Sequence, residues 1–104
     1  MCGRFVSASS PGDIADYFGA TTMAETLTEP NFNVAPSMNV PVIVSNDDGR
    51  HLDLMRWGLI PFWAKSASIG NKMINARVET VTEKSTFRNA AKKHRCIIPA
   101  DAFY

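Results

Sequence analysis

Short apolar runs separated by Gly, Pro, Asn and Asp dominate the first sixty residues, a pattern that predicts strands and turns instead of long helices. Residues 3–6 form one such run and predict a short strand. The runs at 41–45 and 51–57 flank a polar turn at 46–50, where Gly49 tolerates a positive φ. The two runs and the polar turn between them predict a β-hairpin.

Two short helices are predicted on either side of this hairpin. Ser10 and Pro11 supply a cap and a first-turn proline, and Gly19 ends the helix near residue 18. Ser85 would cap the second helix. In the first helix, one apolar face is formed by Ile14, Tyr17 and Phe18. The second helix is predicted to run through Phe87, Ala90 and Ala91.

The remaining segments lack a clear period or are very short. Residues 20–39 are rich in Thr, Asn and Pro and predict an ordered loop, and Gly58 and Pro61 predict a second loop with exposed aromatic side chains. Residues 96–98 read as a buried strand. Two large aromatic residues follow almost at once, so we expect either the first part of a longer domain or a short protein whose last residues pack back onto its core.

Composition favours one globular domain. The 104 residues are 45% hydrophobic and 20% charged, with neither a secretory signal nor a long apolar stretch. We therefore expect no membrane association and a cytoplasmic location, near the nucleoid if the source is bacterial. Cys2 and Cys96 are too few for a disulfide framework and lie in no metal-binding pattern, so both are expected to be reduced, without a metal or cofactor.

Charge is distributed unevenly although the net charge is only +1. Residues 1–55 contain two arginines against seven carboxylates, whereas residues 56–95 contain nine Lys and Arg against two glutamates. The second segment could bind a polyanion such as nucleic acid, or it could simply be a solvated surface.

Cys2 is the chemically most distinctive residue because of its position. Removal of Met1 would give it a free α-amine beside its thiol, and such a pair can close a five-membered ring on an aldehyde. Both groups are partly deprotonated near neutral pH in model compounds. The alternative is a small apolar residue that happens to lie near the start of the chain.

Five segments, taken in order, resemble the SRAP family of SOS-response-associated peptidases, which process abasic sites. They are Met1-Cys2-Gly3-Arg4-Phe5, Asn33-Val34-Ala35-Pro36, Arg56-Trp57-Gly58-Leu59-Ile60-Pro61 with Trp63, Asn75-Ala76-Arg77 with Glu79, and Arg95-Cys96-Ile97-Ile98-Pro99-Ala100-Asp101 with Phe103 and Tyr104. The resemblance implies an α+β fold of twisted antiparallel strands with short peripheral helices. It also implies that residues 1–104 are the N-terminal half of one SRAP domain.

The same resemblance implies a function. Family members lose the initiator methionine and capture the aldehyde of an abasic site in single-stranded DNA as a thiazolidine cross-link, which shields the lesion. Cys2 and Asn75 match the catalytic positions, and Glu79 matches a supporting one. The positions that match DNA contacts are Arg4, Asn33, Trp63 and Arg77.

Each assignment has a structural alternative. Asn75 could be a turn residue, and Arg77 could pair with Glu79. The resemblance places Trp63 and Phe62 at a wedge that stacks on bases beside the lesion, but both could instead pack in the core. We expect Trp57 to be a core residue.

The match also has gaps. The family's catalytic glutamate follows the tyrosine equivalent to Tyr104, and its histidine lies further on, so neither His51 nor His94 is expected to replace it. Other functions therefore stay open, namely a self-processing cysteine peptidase and a DNA-binding fragment without chemistry. The strand at Cys96 could pair with a second copy or with a C-terminal half.

Overall fold

A computed structural model describes residues 2–26 and 29–104. Two three-stranded sheets form its framework, one with the order β3-β1-β6 and the other with the order β2-β5-β4. The strands are β1 Phe5–Ser7, β2 Ala20–Met23, β3 Asn31–Val34, β4 Asn39–Asn46, β5 Gly49–Arg56 and β6 Ala102–Phe103. Helix α1 spans Pro11–Phe18, helix α2 spans Arg88–Lys93, and a short 3-10 helix spans Ala67–Asn71. The predicted α+β class is confirmed, with the addition that β2 pairs parallel with β5.

The hairpin β4–β5 is confirmed, but its turn is tighter than predicted. The two strands pair without interruption from Asn39 opposite Arg56 to Asn46 opposite Gly49. Gly49 has a φ of 120°, which strongly favours glycine. Because Gly49 adopts this conformation, only Asp47 and Asp48 remain unpaired. Strand β4 therefore ends at Asn46 and strand β5 begins at Gly49, both inside the turn predicted at 46–50.

Helix α1 is confirmed, with the cap and the stop that the sequence predicts. Ser10 Oγ accepts a hydrogen bond from the Asp13 backbone nitrogen over 3.1 Å, and Gly19 ends the helix at a φ of 68°. Its predicted apolar face is partly wrong, since Tyr17 is 83% exposed. Ile14 and Ala15 are the buried residues of this helix, and Tyr17 lies about 100° around the axis from their common direction.

The predicted loop at 20–39 is wrong, because it contains β2 and β3. Both strands are short, and most of their side chains are exposed. Each pairs with a strand that lies far away in the sequence, β2 with β5 and β3 with β1. With only one residue of the two strands buried, the sequence carries no alternating pattern that would reveal them.

Two predictions near the second half of the chain are also wrong. Ser85 does not cap α2, which begins at Arg88 after an N-terminal residue, Phe87, that makes no side-chain cap. Residues 96–98 form only an isolated bridge, Ile97 opposite Ile43, and Ile97 and Ile98 are 52% and 43% exposed. In the described part of the chain nothing covers them, so hydrophobicity alone did not decide their burial.

The core lies in two clusters of buried side chains. The first packs beneath β1, β3 and β4 and contains Phe5, Val34, Val40, Val42 and Trp57. The second lies between α1 and the sheet β2-β5-β4 and contains Ile14, Ala15, Ile43 and Leu52. Among the described residues, no helix is long and apolar enough to cross a membrane.

Candidate active site around Cys2

Cys2 and Asn75, far apart in the sequence, are joined by two hydrogen bonds. The Cys2 backbone nitrogen donates to Asn75 Oδ1 over 3.3 Å, and Asn75 Nδ2 donates to the Cys2 carbonyl oxygen over 2.8 Å. One side-chain amide therefore contacts both polar main-chain groups of a single residue. Since its donor and its acceptor are both used, this contact fixes the orientation of Cys2.

Asn75 is positioned by the residues that precede it. Trp57 Nε1 donates to the Ile74 carbonyl oxygen over 3.1 Å, and Ile74 packs against the first core cluster. Trp57 itself is 8% exposed. Its ring packs against that of Phe5 in a tilted arrangement, with an interplanar angle of 60° and ring centroids 5.3 Å apart. The prediction that Trp57 is a core residue is confirmed. Its indole N–H hydrogen bond fixes the backbone of Ile74, the residue next to Asn75.

The Cys2 side chain lies at the border between this core and the solvent. It is half-buried and packs against the same cluster as Phe5 and Trp57. Its thiol lies 3.8 Å from the Arg4 carbonyl oxygen, a distance at which sulfur makes a weak hydrogen bond. The thiol group is therefore in contact with the Arg4 main chain, and the side chain is only partly covered by the apolar cluster. Met1, on whose removal the predicted chemistry depends, lies outside the described residues.

Arg4 and Asn33 form a second contact, between the segment that precedes β1 and strand β3. Arg4 Nη1 donates to Asn33 Oδ1 over 3.2 Å, and the Asn33 backbone nitrogen donates to Asn31 Oδ1 over 2.8 Å. Arg4 and Asn33 are both exposed. The contact occupies one nitrogen of the guanidinium group and leaves the others able to face a ligand.

The other predicted site residues are exposed but lie in separate segments. Arg77 and Glu79 follow Asn75 in an irregular segment, where the Thr80 backbone nitrogen donates to the Arg77 carbonyl oxygen over 3.2 Å. Trp63 is 45% exposed and Phe62 is 86% exposed. The alternative that Phe62 belongs to the core is therefore wrong.

Asp101 is a polar anchor that the sequence analysis missed. Its carboxylate accepts hydrogen bonds from the backbone nitrogens of Ala8 and Ser9 over 2.7 and 3.0 Å, and another from the Ser9 hydroxyl. The Ser9 hydroxyl, followed by the two backbone N–H groups, lowers the pKa of Asp101 below its ordinary value. The partners are more than ninety positions away, so no local pattern could have predicted this contact.

Cys96 differs from Cys2 in its surroundings. It is exposed and in the reduced form, and partial desolvation raises the pKa of its thiol. In the part of the chain that the structure describes, no group of three or more His, Cys, Asp or Glu side chains is arranged to hold a metal ion.

Comparison with known proteins identifies relatives over the full sequence. The family model described as SOS response associated peptidase (SRAP) matches residues 1–104. The abasic site processing protein YoaM of Bacillus subtilis is 50% identical over 105 residues, covering 100% of this chain and 46% of that protein. The abasic site processing protein HMCES of Xenopus tropicalis is 35% identical over 88 residues, covering 73% of this chain and 26% of that protein.

Solved structures show the same fold. A crystal structure of a protein from Bordetella bronchiseptica is 32% identical with a TM-score of 0.77, covering 99% of this chain and 50% of that one. A second, from Bacteroides thetaiotaomicron, is 25% identical with a TM-score of 0.80, covering 98% of this chain and 47% of that one. The chain thus spans about half the length of the Bacillus relative and of both structures. Family model, sequence identity and fold agree, and the chain belongs to the SRAP family.

Proposed function

We propose that this protein captures abasic sites in single-stranded DNA through a covalent bond to Cys2 after Met1 has been removed. The observation that carries the proposal is the pair of hydrogen bonds between Asn75 and the main chain of Cys2. The names of the relatives, abasic site processing proteins, supply the substrate class. Because the chain spans about half the length of the Bacillus relative, we propose this activity for a protein of the full length as well.

The proposed reaction forms two bonds to one carbon atom of the ring-opened sugar. The α-amine of Cys2 attacks the aldehyde carbon, and loss of one water gives an imine. The thiolate then adds to the imine carbon, and the nitrogen takes up a proton. The product is a thiazolidine, and its mass is that of the protein plus the DNA minus one water. No oxidant or reductant is needed.

Asn75 would act by holding the amine in place. The nitrogen that now donates to Asn75 Oδ1 over 3.3 Å becomes the α-amine once Met1 is gone. An amine that donates one hydrogen to a fixed acceptor keeps its lone pair in a defined direction, which shortens the search for a productive approach to the aldehyde. The bond from Asn75 Nδ2 to the Cys2 carbonyl oxygen keeps the residue from rotating away.

The DNA backbone would be bound by arginines on either side of this pair. Arg4 is pre-oriented by Asn33, and Arg77 lies two residues beyond Asn75. A planar guanidinium group can donate two parallel hydrogen bonds to a phosphate. Glu79, close behind Arg77 in sequence, would orient that arginine. Binding would occur in the cytoplasm, at damaged DNA, during the SOS response.

The described residues place no general acid or base in hydrogen-bond contact with Cys2. In the ranges 2–26 and 29–104, no carboxylate or imidazole makes a hydrogen bond with Cys2. We therefore propose that this chain reacts slowly, and that the full rate needs an acid and a base that the described residues do not place at the thiol.

Intact mass spectrometry tests the proposal. The free chain is weighed first, to establish whether Met1 is present. It is then mixed with a single-stranded oligonucleotide that contains an abasic site, and with a matched oligonucleotide in which a tetrahydrofuran analogue lacks the aldehyde. We expect the dehydrated adduct only with the first. The Cys2→Ala variant should give none, and an undiminished adduct from it would refute the assignment.

Variants at Asn75 test its role. Asn75→Ala removes both hydrogen bonds and should slow adduct formation about tenfold, the effect of roughly one lost hydrogen bond. Asn75→Asp keeps an acceptor for the amine but loses the donor to the carbonyl oxygen, so it should react at an intermediate rate near neutral pH. A rate unchanged in both variants would remove Asn75 from the mechanism.

One alternative function has support from the family description, which names a peptidase. In that case Cys2 would attack an acyl group, and the chain would release its own Met1. Retention of Met1 in Cys2→Ala, alongside its loss in the unchanged chain, would favour this reading. A binding protein without chemistry would instead show DNA affinity that falls steeply with salt and leaves no adduct.

A further inference from the structure

A cleft opens on the face of the sheet β2-β5-β4 that lies away from Cys2. The side chains of β4 alternate between the two faces of this sheet. Val40 and Val42 belong to the first core cluster, against which Cys2 packs, whereas Ile43 belongs to the second cluster, beneath α1. A ligand on the Ile43 face is therefore separated from the candidate active site by the thickness of the sheet.

This cleft, which we call the arginine cleft, combines apolar and basic side chains. It has a volume of about 400 Å³. Its apolar lining is formed by Phe18, Ile43 and Ile97, and its basic lining by Arg50 and Arg95. Among the described residues that line it, none carries a carboxylate. Its volume falls in the range of pockets that hold small organic molecules, and its charge favours an anion.

Both arginines are held in place by main-chain carbonyl groups. Arg50 Nη1 donates to the Phe18 carbonyl oxygen over 2.8 Å, and Arg95 Nε donates to the Ala91 carbonyl oxygen over 2.7 Å. A guanidinium group has five N–H donors, so each arginine keeps others for a ligand. Ser45 pairs directly with Arg50 across β4 and β5 and adds a hydroxyl group to the cleft. The cleft thus presents donors that are oriented before a ligand arrives.

The same contacts also have a purely structural interpretation, in which the two arginines stabilise helix ends. Phe18 is the last residue of α1, and Ala91 lies in the last turn of α2. The carbonyl groups at a helix C-terminus attract cations, because together they correspond to about half a negative charge. Each arginine carries a full positive charge. Two guanidinium groups at one cleft therefore leave it positively charged even after both helix ends are neutralised.

We propose that the arginine cleft binds a small organic anion, in which an apolar group carries a phosphate or a carboxylate. The apolar group packs on Phe18 and Ile43. The anionic group accepts hydrogen bonds from Arg50 and Arg95, and such charge-assisted bonds from a planar guanidinium group are among the strong ones. The inference goes beyond the proposed function, because it concerns a second site and requires neither Cys2 nor DNA.

Titration of the ¹⁵N-labelled chain with phenyl phosphate, followed by amide chemical shifts, tests the site. We expect saturable shifts at Ile43, Ser45 and Ile97, with a Kd of about 1 mM for so small a ligand. The side-chain amide of Asn75, which contacts Cys2, should not shift. Benzyl alcohol lacks the charge and inorganic phosphate lacks the ring, so each should bind at least about tenfold more weakly. Equal affinity for inorganic phosphate and phenyl phosphate would overturn the role of the apolar lining.

Arginine variants show whether the charge acts at this cleft. Arg95→Gln should weaken the binding of phenyl phosphate about tenfold, as expected for the loss of a charge-assisted hydrogen bond. Arg50→Lys keeps the charge but loses the planar fork, and should weaken binding about threefold. Arg88→Gln is the matched control, because Arg88 is an exposed residue of α2 that does not line the cleft. Equal losses in Arg88→Gln and Arg95→Gln would overturn the site.

The thiol of Cys96 provides a second measurement that needs no arginine variant and so does not depend on how well a variant folds. Cys96 lines the cleft, so a bound ligand should cover it. Its alkylation by iodoacetamide, located by peptide mass mapping, should slow about sixfold when phenyl phosphate is present at about five times its Kd. Cys2 in the same sample is the control, and its rate should not change. An unchanged rate at Cys96 would overturn the proposal.

Two further ligands identify the anion and separate this site from DNA binding. 3-Phenylpropionate carries a carboxylate, so its affinity relative to phenyl phosphate shows which of the two groups the cleft prefers. A fluorescein-labelled, lesion-free oligothymidylate, followed by anisotropy, should bind Arg95→Gln and the unchanged chain equally. If Arg95→Gln weakened the binding of oligothymidylate but not of phenyl phosphate, Arg95 would contact DNA instead, and the small-anion site would be overturned.

Discussion

Residues 2–18 and residues 85–104 contain similar kinds of residue, but only the first segment is built into the core. Phe5 and Phe103 make the contrast clear, because they are paired directly across β1 and β6 and so point to the same face of the sheet. Phe5 is 4% exposed and Phe103 is 71% exposed. Side-chain chemistry is the same for both, so the difference comes from their surroundings. Phe5 lies on the central strand of the sheet and packs in the first core cluster, whereas Phe103 lies on the edge strand β6.

The two helices show the same contrast. Helix α1 has a capping serine, a first-turn proline, a glycine stop and buried residues at Ile14 and Ala15. Helix α2 has no capping side chain and no buried residue. A helix of six residues is marginal in water without packing, so we expect α2 to unfold locally more readily than α1 does.

Removing the two phenylalanine rings is the strongest way to break this comparison. Phe5→Ala should lower the free energy of unfolding by about 3 to 5 kcal/mol, because it leaves a cavity beside Trp57 and Val34. Phe103→Ala removes the same atoms from a mostly exposed position and should cost less than about 1 kcal/mol. Urea denaturation followed by circular dichroism measures both. Equal losses would mean that Phe103 is covered in solution, contrary to its exposure here.

The sequence predicted what depends on neighbours in the chain and missed what depends on distant ones. Ser10, Gly19 and Gly49 act within a few residues of themselves, and the helix stop and hairpin that they mark were predicted correctly. Strand β2, in contrast, exists because β5 lies beside it, and the exposure of Ile97 is set by what packs over it. Neither relation leaves a trace in the local pattern.

The candidate site divides in the same way. The resemblance to a family pointed to Cys2 and Asn75, and the structure brings them into contact. The anchor at Asp101 could not be foreseen, since it joins residues 8–9 to a position more than ninety residues away in the sequence.

A weaker test compares the two serines that the sequence predicted as helix caps. Ser10→Ala removes the hydrogen bond to the Asp13 nitrogen and should cost about 1 kcal/mol of stability. Ser85→Ala should change stability by less than about 0.5 kcal/mol, because Ser85 caps no helix in this fold. Thermal unfolding at pH 7 measures the pair. A loss at Ser85 that matched the loss at Ser10 would place the start of α2 earlier than residue 88.

The smallest expected effect concerns Asp101, which ties the two compared regions together. Because its pKa is lowered in the folded chain, its contribution to stability is present at neutral pH and declines as the pH falls through that lowered pKa. Asp101→Asn should therefore lower the Tm at pH 7, by less than Ser10→Ala does, since the group is exposed to water and one amide oxygen remains as an acceptor.

As the pH falls through the lowered pKa of Asp101, this Asp101→Asn difference should shrink, and it should vanish once the unchanged carboxyl group is protonated as well. The exposed Glu83 provides the control, and Glu83→Gln should leave the Tm at pH 7 within about a degree. A Tm difference for Asp101→Asn that stayed constant from pH 7 down to the lowest pH at which the chain still unfolds cooperatively would show that the carboxylate charge has no part in joining residues 8–9 to β6.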